Sequence, residues 1–375
     1  MSAAKNLLIA GGGTGGHVFP AIAVAREWLR REPEGERKAV IVGTERGLEV
    51  KLVPQAGLPL ETIRVAGLKG IGGLKFFRNA AMLPAGMLDS ERILRRTKFS
   101  AAFGVGGYAS GPMMLLARLH GIPGVVFEPN AVPGFTNRVL GHIATRIACG
   151  FDETARRFGP KALVTGIPVR KDFFAIAPKE HREPFNILIT GGSRGALPIN
   201  RAVIDSLDKL ALRKNQLFIV HQTGERDYNA VRVAYARREF KAEVLPFIEN
   251  MAERFAQADL IVCRSGAITV AEISAAGRAA IFIPFGAATD AHQTRNAQAM
   301  QEAGAARLIP QEELTAERLT NEIFALLDQP RSITNMEQRA RELARPRAVE
   351  DIVDLLEDLA GIRRPEVSPA QVVPS

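Results

Sequence analysis

The sequence predicts an α/β protein built twice, as two Rossmann-like units that each carry a parallel sheet. Three observations carry this. Short apolar runs of strand length alternate with helical patterns along the chain, as in successive βαβ units. The opening run Asn6-Leu7-Leu8-Ile9-Ala10-Gly11-Gly12 returns as Asn186-Ile187-Leu188-Ile189-Thr190-Gly191-Gly192, an offset of 180 in a chain of 375 residues. A chain of that length also exceeds the ~250–300 residues at which a single core stops growing.

Taken in order, the strand at 6–10 runs through Gly11-Gly12-Gly13-Thr14-Gly15-Gly16 into a helical stretch, Val18–Arg31, and then a strand at 39–42. That loop satisfies the dinucleotide pattern G-x-G-x-x-G, with Glu45 as the acid that would bind a ribose. Yet Glu45 follows Gly16 by 29 residues, where the pattern places its acid about 20 on. Five glycines in six positions imply something simpler: backbone N–H groups that approach a bulky polar group closely. A second loop, Phe103 to Pro112, leads into a helix at 113–119, and a third, Gly191 to Ala196, opens the second half. One such loop is an ordinary strand–helix turn; three point to anion or sugar contact. No G-x-x-x-x-G-K-[ST] occurs, which disfavours a P-loop nucleotidase.

In the second half, a strand at 260–263 turns through Arg264-Ser265-Gly266-Ala267 into a helix at 268–276, stopped by Gly277. Ser265 is the expected N-cap. The small residues leave the helix N-terminus open to a pyrophosphate. Glu272 lies two turns on, placed to accept from ribose hydroxyls, although a helix glutamate is more often a solvated one. After a strand at 281–284, Asp290 to Asn296 concentrates amides and hydroxyls suited to sugar hydroxyls, with Asp290 as helix cap. A last helix, 349–360, precedes a proline-punctuated tail. The expected organisation is a first domain at 1–167, a second at 168–345, a helix at 346–362 packing back on the first, and a disordered tail at 363–375.

Composition excludes several classes. The apolar runs are short, such as Leu7 to Ala10 and Ala279 to Ile283, and fall far short of the ~18 residues of a membrane span. Two cysteines, Cys149 and Cys263, argue against a disulfide framework and for a reducing cytosol. The six histidines show no metal-ligand spacing, and no D-x-D is present. The net charge of +9 sits entirely within residues 1–150. With three Tyr, one Trp and no recognisable motif, that charge does not make a nucleic-acid module. It peaks near Arg64 to Arg78, where cations and glycines interleave with Leu68, Lys69, Ile71, Leu74, Lys75, Phe76, Phe77 and Arg78. An exposed segment of that kind suits an anionic membrane surface.

The distinctive motifs are Gly11 to Pro20, Gly106-Gly107-Tyr108 with Ser110-Gly111-Pro112, Gly191 to Ala196, Cys263 to Glu272, and His292-Gln293 with Asn296-Ala297. In combination, over roughly residues 5–360, they resemble the MurG family. These peptidoglycan glycosyltransferases add N-acetylglucosamine (GlcNAc) to undecaprenyl-pyrophosphoryl-MurNAc-pentapeptide, lipid I to lipid II. The resemblance implies a GT-B fold, UDP-GlcNAc as donor, an inverting mechanism and an enzyme at the cytoplasmic face of the bacterial membrane, held peripherally. It implies no tightly bound cofactor, leaves room for stimulation by a divalent cation, and admits cell-wall synthesis proteins as partners.

Carried over position by position, the resemblance puts the donor mainly on the second domain. Ser193 and the stretch Ala267, Ile268, Thr269, Val270, Ala271 and Glu272 would hold phosphate and ribose. Backbone at Ile248 would meet uracil, Arg170 the diphosphate and Gln293 the GlcNAc hydroxyls. Thr14, Gly15, Gly16 and Asn130 would face the sugar across the cleft, with Gly106, Gly107 and Tyr108 as a loop for the acceptor. For the general base, His17 at a helix start comes first, because the dipole keeps it neutral; Glu128 is the alternative. One departure stands out: Phe127-Glu128-Pro129-Asn130 replaces the family's His-Glu-Gln-Asn, and Ala131 a common glycine. Roles of that histidine or glutamine do not transfer. Rival readings are another GT-B enzyme with a lipid acceptor and, on the first glycine loop alone, a nicotinamide-dependent dehydrogenase.

Overall fold

The computed structural model describes residues 5–32, 35–66, 82–286 and 291–362. The segment 68–78 with its cationic and apolar residues, Asp290 and the tail at 363–375 therefore lie outside the described residues.

Thirteen strands among these residues form two parallel sheets. The first contains β1 (Lys5–Gly11), β2 (Arg37–Thr44), β3 (Leu60–Ile63), β4 (Ala101–Gly106), β5 (Gly124–Glu128), β6 (Arg146–Cys149) and β7 (Ala162–Val164), in the order 3-2-1-4-5-6-7. The second contains β8 (Phe185–Thr190), β9 (Leu217–Gln222), β10 (Ala242–Leu245), β11 (Leu260–Cys263), β12 (Ala280–Phe282) and β13 (Arg307–Leu308), in the order 10-9-8-11-12-13. The repeated segments are β1 and β8, which occupy the same place in their sheets. Strand order reverses beside each, between β1 and β4 and between β8 and β11. In open α/β sheets the crevice for ligands lies at that switch point, outside the carboxyl ends of the strands.

Helices α1 (Gly15–Arg30), α2 (Glu49–Gln55), α3 (Leu83–Arg96), α4 (Ser110–Leu119), α5 (Phe135–Ile143) and α6 (Asp152–Phe158) accompany the first sheet. A short α7 (Lys171–Phe174) lies in the crossing segment. Then follow α8 (Leu197–Leu210), α9 (Tyr228–Arg237), α10 (Met251–Gln257), α11 (Ala267–Ala276), α12 (His292–Glu302), α13 (Ala316–Leu327), α14 (Pro330–Glu342) and α15 (Ala348–Leu359). Ile167 packs with the first core, whereas Val169, Phe173 and Ile176 pack with the second, so the chain changes partners just ahead of α7. The last helix returns. Ile352, Val353 and Leu356 of α15 join Leu7, Ile9, Trp28 and Phe103 in one core, and Glu357 accepts from Arg31 and Arg37 at 2.6 Å each.

Two local expectations change. Helix α1 begins at Gly15 rather than Val18, because the Thr14 carbonyl already accepts from His17 and Val18 N–H at 3.0 and 3.1 Å. Ser265 does not cap α11: Gly266 occupies the cap with no side-chain bond, and the buried Ser265 hydroxyl donates to the Gln293 carbonyl at 2.8 Å. Gly277 ends α11 in a left-handed conformation, as an αL stop requires.

Candidate functional site

The two carboxyl-end crevices face one another, and residues from both sheets line a cleft of about 430 Å³. Gly15, Gly16 and the exposed Phe19 come from the start of α1; Arg170 caps α7 at the mouth. Ser193 stands on the loop after β8, and Ile268, Thr269 and Glu272 on α11. Backbone geometry explains the glycines of that loop. Gly195 has φ +71, and a Cβ there would lie 1.8 Å from the Thr223 carbonyl oxygen. The buried Gln222 at the end of β9 braces the cleft, donating to the Gly192 carbonyl at 2.8 Å and accepting from Ile248 N–H at 2.9 Å. The Ile248 N–H is thus already engaged, which leaves the carbonyl side of that residue for a ligand.

The open N-terminus of α11 carries partial positive charge and uncapped N–H groups. Arg170 adds a cation whose side chain is 56% exposed and lies over Phe173 at 5.0 Å. Arg264, although it lines the cleft, is spent on the Ile283 and Pro284 carbonyls and on Gln311, at 2.8–2.9 Å. Glu272 is half-buried. Burial pushes its carboxyl up to about 7, against the pull of the Arg170 charge. Its surroundings therefore favour an arriving hydroxyl pair as donors. Helical phase sorts the rest of this segment: Ala267 packs into the first core, and Val270 and Ala271 face a separate cavity behind the cleft, beside Phe174 and Met300. Only residues at i, i+1 and i+4 reach the front.

Beyond Gly16 a second cavity, of about 840 Å³, contains His17, Gly106, Gly107, Tyr108, Glu128, Asn130, Asn137 and His292. His17 Nδ1 lies 3.0 Å from the Gly12 carbonyl, which can only accept, so Nδ1 carries the hydrogen and Nε2 is the basic nitrogen. Burial lowers its pKa from the ordinary histidine value, outweighing the Gly12 bond and the Glu128 and Glu49 charges. Glycine is needed on both sides of this pocket. A Cβ on Gly106 would sit 3.1 Å from His17 Nε2, and one on Gly107, at φ +80, would lie 2.4 Å from the Gly12 oxygen.

Glu49, rather than Glu45, is the acid of the first loop, and its work is local. It accepts from Gly13 N–H at 2.7 Å and from Thr44 N–H and Oγ1 at 2.9 Å each. A Cβ on Gly12, Gly43 or Gly47 would come within 2.5 Å of its side chain. Glu128 is similarly committed. One oxygen accepts from Asn130 N–H and Nδ2 at 3.0 Å each, the other from Gly134 N–H and Asn137 Nδ2 at 2.8 and 2.9 Å. Four donors thus occupy its two oxygens and tie it to the loop at 129–134.

The structure thus brings Gly15, Gly16, Arg170, Ser193, Ile248, Ile268, Thr269 and Glu272 together, and groups His17, Asn130 and the 106–108 loop in the adjoining pocket. Thr14 touches His17, its Oγ1 3.3 Å from Nδ1. Gln293 stands apart from the front cleft, its Oε1 accepting from Phe285 N–H at 3.0 Å. Gln222, Glu49 and Asn137 escaped sequence reasoning, although a glutamine ending the apolar strand β9 is a legible signal. Among the described residues no group of three or more His, Cys, Asp or Glu is placed to hold a metal ion, and no helix is long and apolar enough to cross a membrane.

Comparison with known proteins fits this geometry. Residues 7–149 match the model of the glycosyltransferase family 28 N-terminal domain, and residues 186–352 that of its C-terminal domain. The chain is 45% identical to the UDP-N-acetylglucosamine--N-acetylmuramyl-(pentapeptide) pyrophosphoryl-undecaprenol N-acetylglucosamine transferase of Myxococcus xanthus, over 94% of this chain and 92% of that one. It is 45% identical to the enzyme of the same name from Anaeromyxobacter, over 97% and 95%. The crystal structure of Acinetobacter baumannii MurG superposes with a TM-score of 0.78 at 34% identity, covering 94% of this chain and 99% of that one.

Proposed function

Since the chain belongs to glycosyltransferase family 28, we infer that it transfers GlcNAc from UDP-GlcNAc to the muramyl sugar of undecaprenyl-pyrophosphoryl-MurNAc-pentapeptide. The observation that carries the site assignment is the adjacency of the two cavities across Gly15 to His17. One offers an open helix N-terminus, a cation and a carboxylate; the other offers a neutral imidazole. Mixing the protein with UDP-GlcNAc and a polyprenyl-pyrophosphoryl-MurNAc-pentapeptide tests it. Release of UDP together with a disaccharide-bearing lipid is expected, and UDP-GlcNAc turnover onto a different lipid alone would overturn it.

In this reading the donor occupies the front cleft. Glu272 accepts from the ribose hydroxyls, and Ser193, Arg170 and the N-terminus of α11 face the diphosphate. Gln293, in the first turn of α12, turns to the GlcNAc hydroxyls only if its bond to Phe285 N–H is exchanged. The muramyl 4-hydroxyl attacks the anomeric carbon in line, and the bond to the UDP oxygen breaks with inversion through an oxocarbenium-like state. His17 Nε2 takes the hydroxyl proton. Negative charge gathers on UDP, where fixed dipoles and Arg170 meet it without reorganising. No tightly bound metal enters this mechanism, and a divalent cation would act only by stimulating it. Glu128 positions the loop at 129–134 instead of taking a proton.

The titration of Glu272 makes the donor site testable. Ribose hydroxyls stabilise its ionised form, so binding pulls a carboxyl near 7 downward and releases a proton. Donor affinity is then present above that value and lost as pH falls through it. UDP-GlcNAc should bind about tenfold more tightly at pH 8 than at pH 6, each pKa unit being worth a factor of ten. Titration calorimetry on Glu272→Gln should show a flat profile; an unchanged pH slope in that variant removes the carboxylate from the ribose site.

The acceptor is lipid-linked, and the reading places the enzyme peripherally at the cytoplasmic face of the bacterial membrane, where cell-wall synthesis proteins are natural neighbours. The charge of residues 1–150 and the composition of the stretch from Leu68 to Arg78 support this. Binding to anionic vesicles should exceed binding to neutral ones, and equal binding would count against the placement.

A further inference from the structure

We propose that Asn296 is the positioning residue that locks the acceptor-side loop to the donor-side helix, so that nucleophile and leaving group share one frame. The inference rests on the assignment of the two cavities to acceptor and donor. Asn296, on α12, is fully buried. Its Oδ1 accepts from Ala131 N–H at 2.9 Å, and its Nδ2 donates to Asn130 Oδ1 at 3.2 Å and to the Ser265 carbonyl at 3.1 Å. One carboxamide has two N–H groups and one carbonyl, and all are engaged.

The orientation of each amide in this chain follows from its neighbour. Glu128 accepts only, so Asn130 must turn Nδ2 toward it and Oδ1 toward Asn296. Asn296 must then present Nδ2 to Asn130 and Ser265, which leaves Oδ1 for Ala131 N–H. At the far end, Ser265 directly precedes Gly266, the cap of α11, and its hydroxyl holds the Gln293 carbonyl of α12. A continuous path thus runs from the Glu128 loop in the first domain to the helix N-terminus that faces the diphosphate. Its one crossing between domains is a buried amide. The neighbouring Arg295 also crosses, to Glu153 at 3.0 Å, but through half-exposed side chains on the rear side of the interface.

A reacting pair must be held near ~3–3.5 Å, and misplacement by about 1 Å costs on the order of 10² in rate. Asn296→Asp keeps an acceptor for Ala131 N–H and removes both donors, so it breaks the link without emptying the space. We expect kcat to fall about 10²-fold while the Kd for UDP stays within about threefold. Thermal shift by UDP reports folding, and Asn296→Ser carries the test should the aspartate variant not fold. Combined with Asn130→Ala, the loss should not exceed that of the worse single variant, because residues acting as one unit are not additive. Arg295→Ala should keep wild-type kcat. The proposal is overturned if Asn296→Asp retains kcat within about threefold, if the two losses multiply, or if Arg295→Ala loses as much. Glu272→Ala serves as the check on the underlying assignment: wild-type UDP affinity in that variant would fell the donor-site reading itself.

Discussion

His17→Ala lowers kcat by about 10²–10⁴, the range supplied by a positioned general base, and leaves the Kd for UDP within about threefold. The base nitrogen belongs to the acceptor pocket, so kcat and kcat/KM should fall together, as they do when an interaction exists only in the transition state. His17 also holds the Gly12 carbonyl through Nδ1, and a loosened glycine loop is the competing explanation for any loss. His17→Asn separates the two, because its amide nitrogen can replace Nδ1 at Gly12 but supplies no base. Low kcat in both variants supports proton transfer; recovery in His17→Asn assigns the residue to loop structure. The pH profile gives an independent sign. A base must be neutral to act, and burial lowers the pKa of His17. With donor saturating, so that the Glu272 titration does not enter, kcat should therefore be full above the ordinary histidine value and be lost only well below it. An acid limb of kcat that persists unchanged in the residual activity of His17→Ala would assign the proton transfer to another group.

Glu357→Ala should destabilise the fold by ~3–5 kcal/mol, the usual consequence of removing one partner from a buried ion pair. Its two oxygens meet Arg37 and Arg31 at 2.6 Å each, and Arg37 is buried beneath the first core with its guanidinium over Trp28 at 4.8 Å. Without Glu357, Arg37 is left with Glu32 at 3.7 Å and the Trp28 carbonyl. Urea unfolding measures the loss directly, and a change under about 1 kcal/mol would mean that water or rearrangement replaces the carboxylate. The result also tests whether α15 is integral to the first domain. Since α15 follows the second domain in sequence, its docking across the interface ties the two halves together.

Much of the architecture was legible because it follows from local demands. Strand-length apolar runs bury both faces of a parallel sheet, so their alternation with helices revealed the class. The glycine loops were legible because left-handed backbone and close approach leave no other residue type, as at Gly107 and Gly195. His17 and Glu272 stood out as titratable groups at a helix start and two turns beyond an open one. What packing decides was not legible. Ala267, Val270 and Ala271 differ from Ile268, Thr269 and Glu272 only in helical phase, and phase is set by what α11 leans on. Ser265 carries the residue type of a cap, yet its neighbour Gln293 claims its hydroxyl. Glu45 and Glu49 are both plausible acids, and only the meeting of Gly13 with Thr44 selects Glu49.

By itself, then, the sequence determined two parallel-sheet units, three close-approach loops and the chemistry on offer at their ends, because each is a property of a few consecutive residues. The tertiary structure alone decided how those ends are joined. Gln222, Glu128 and Asn296 act through partners 2 to 166 residues away, and a hydrogen bond depends on three-dimensional distance and direction, which no local pattern records.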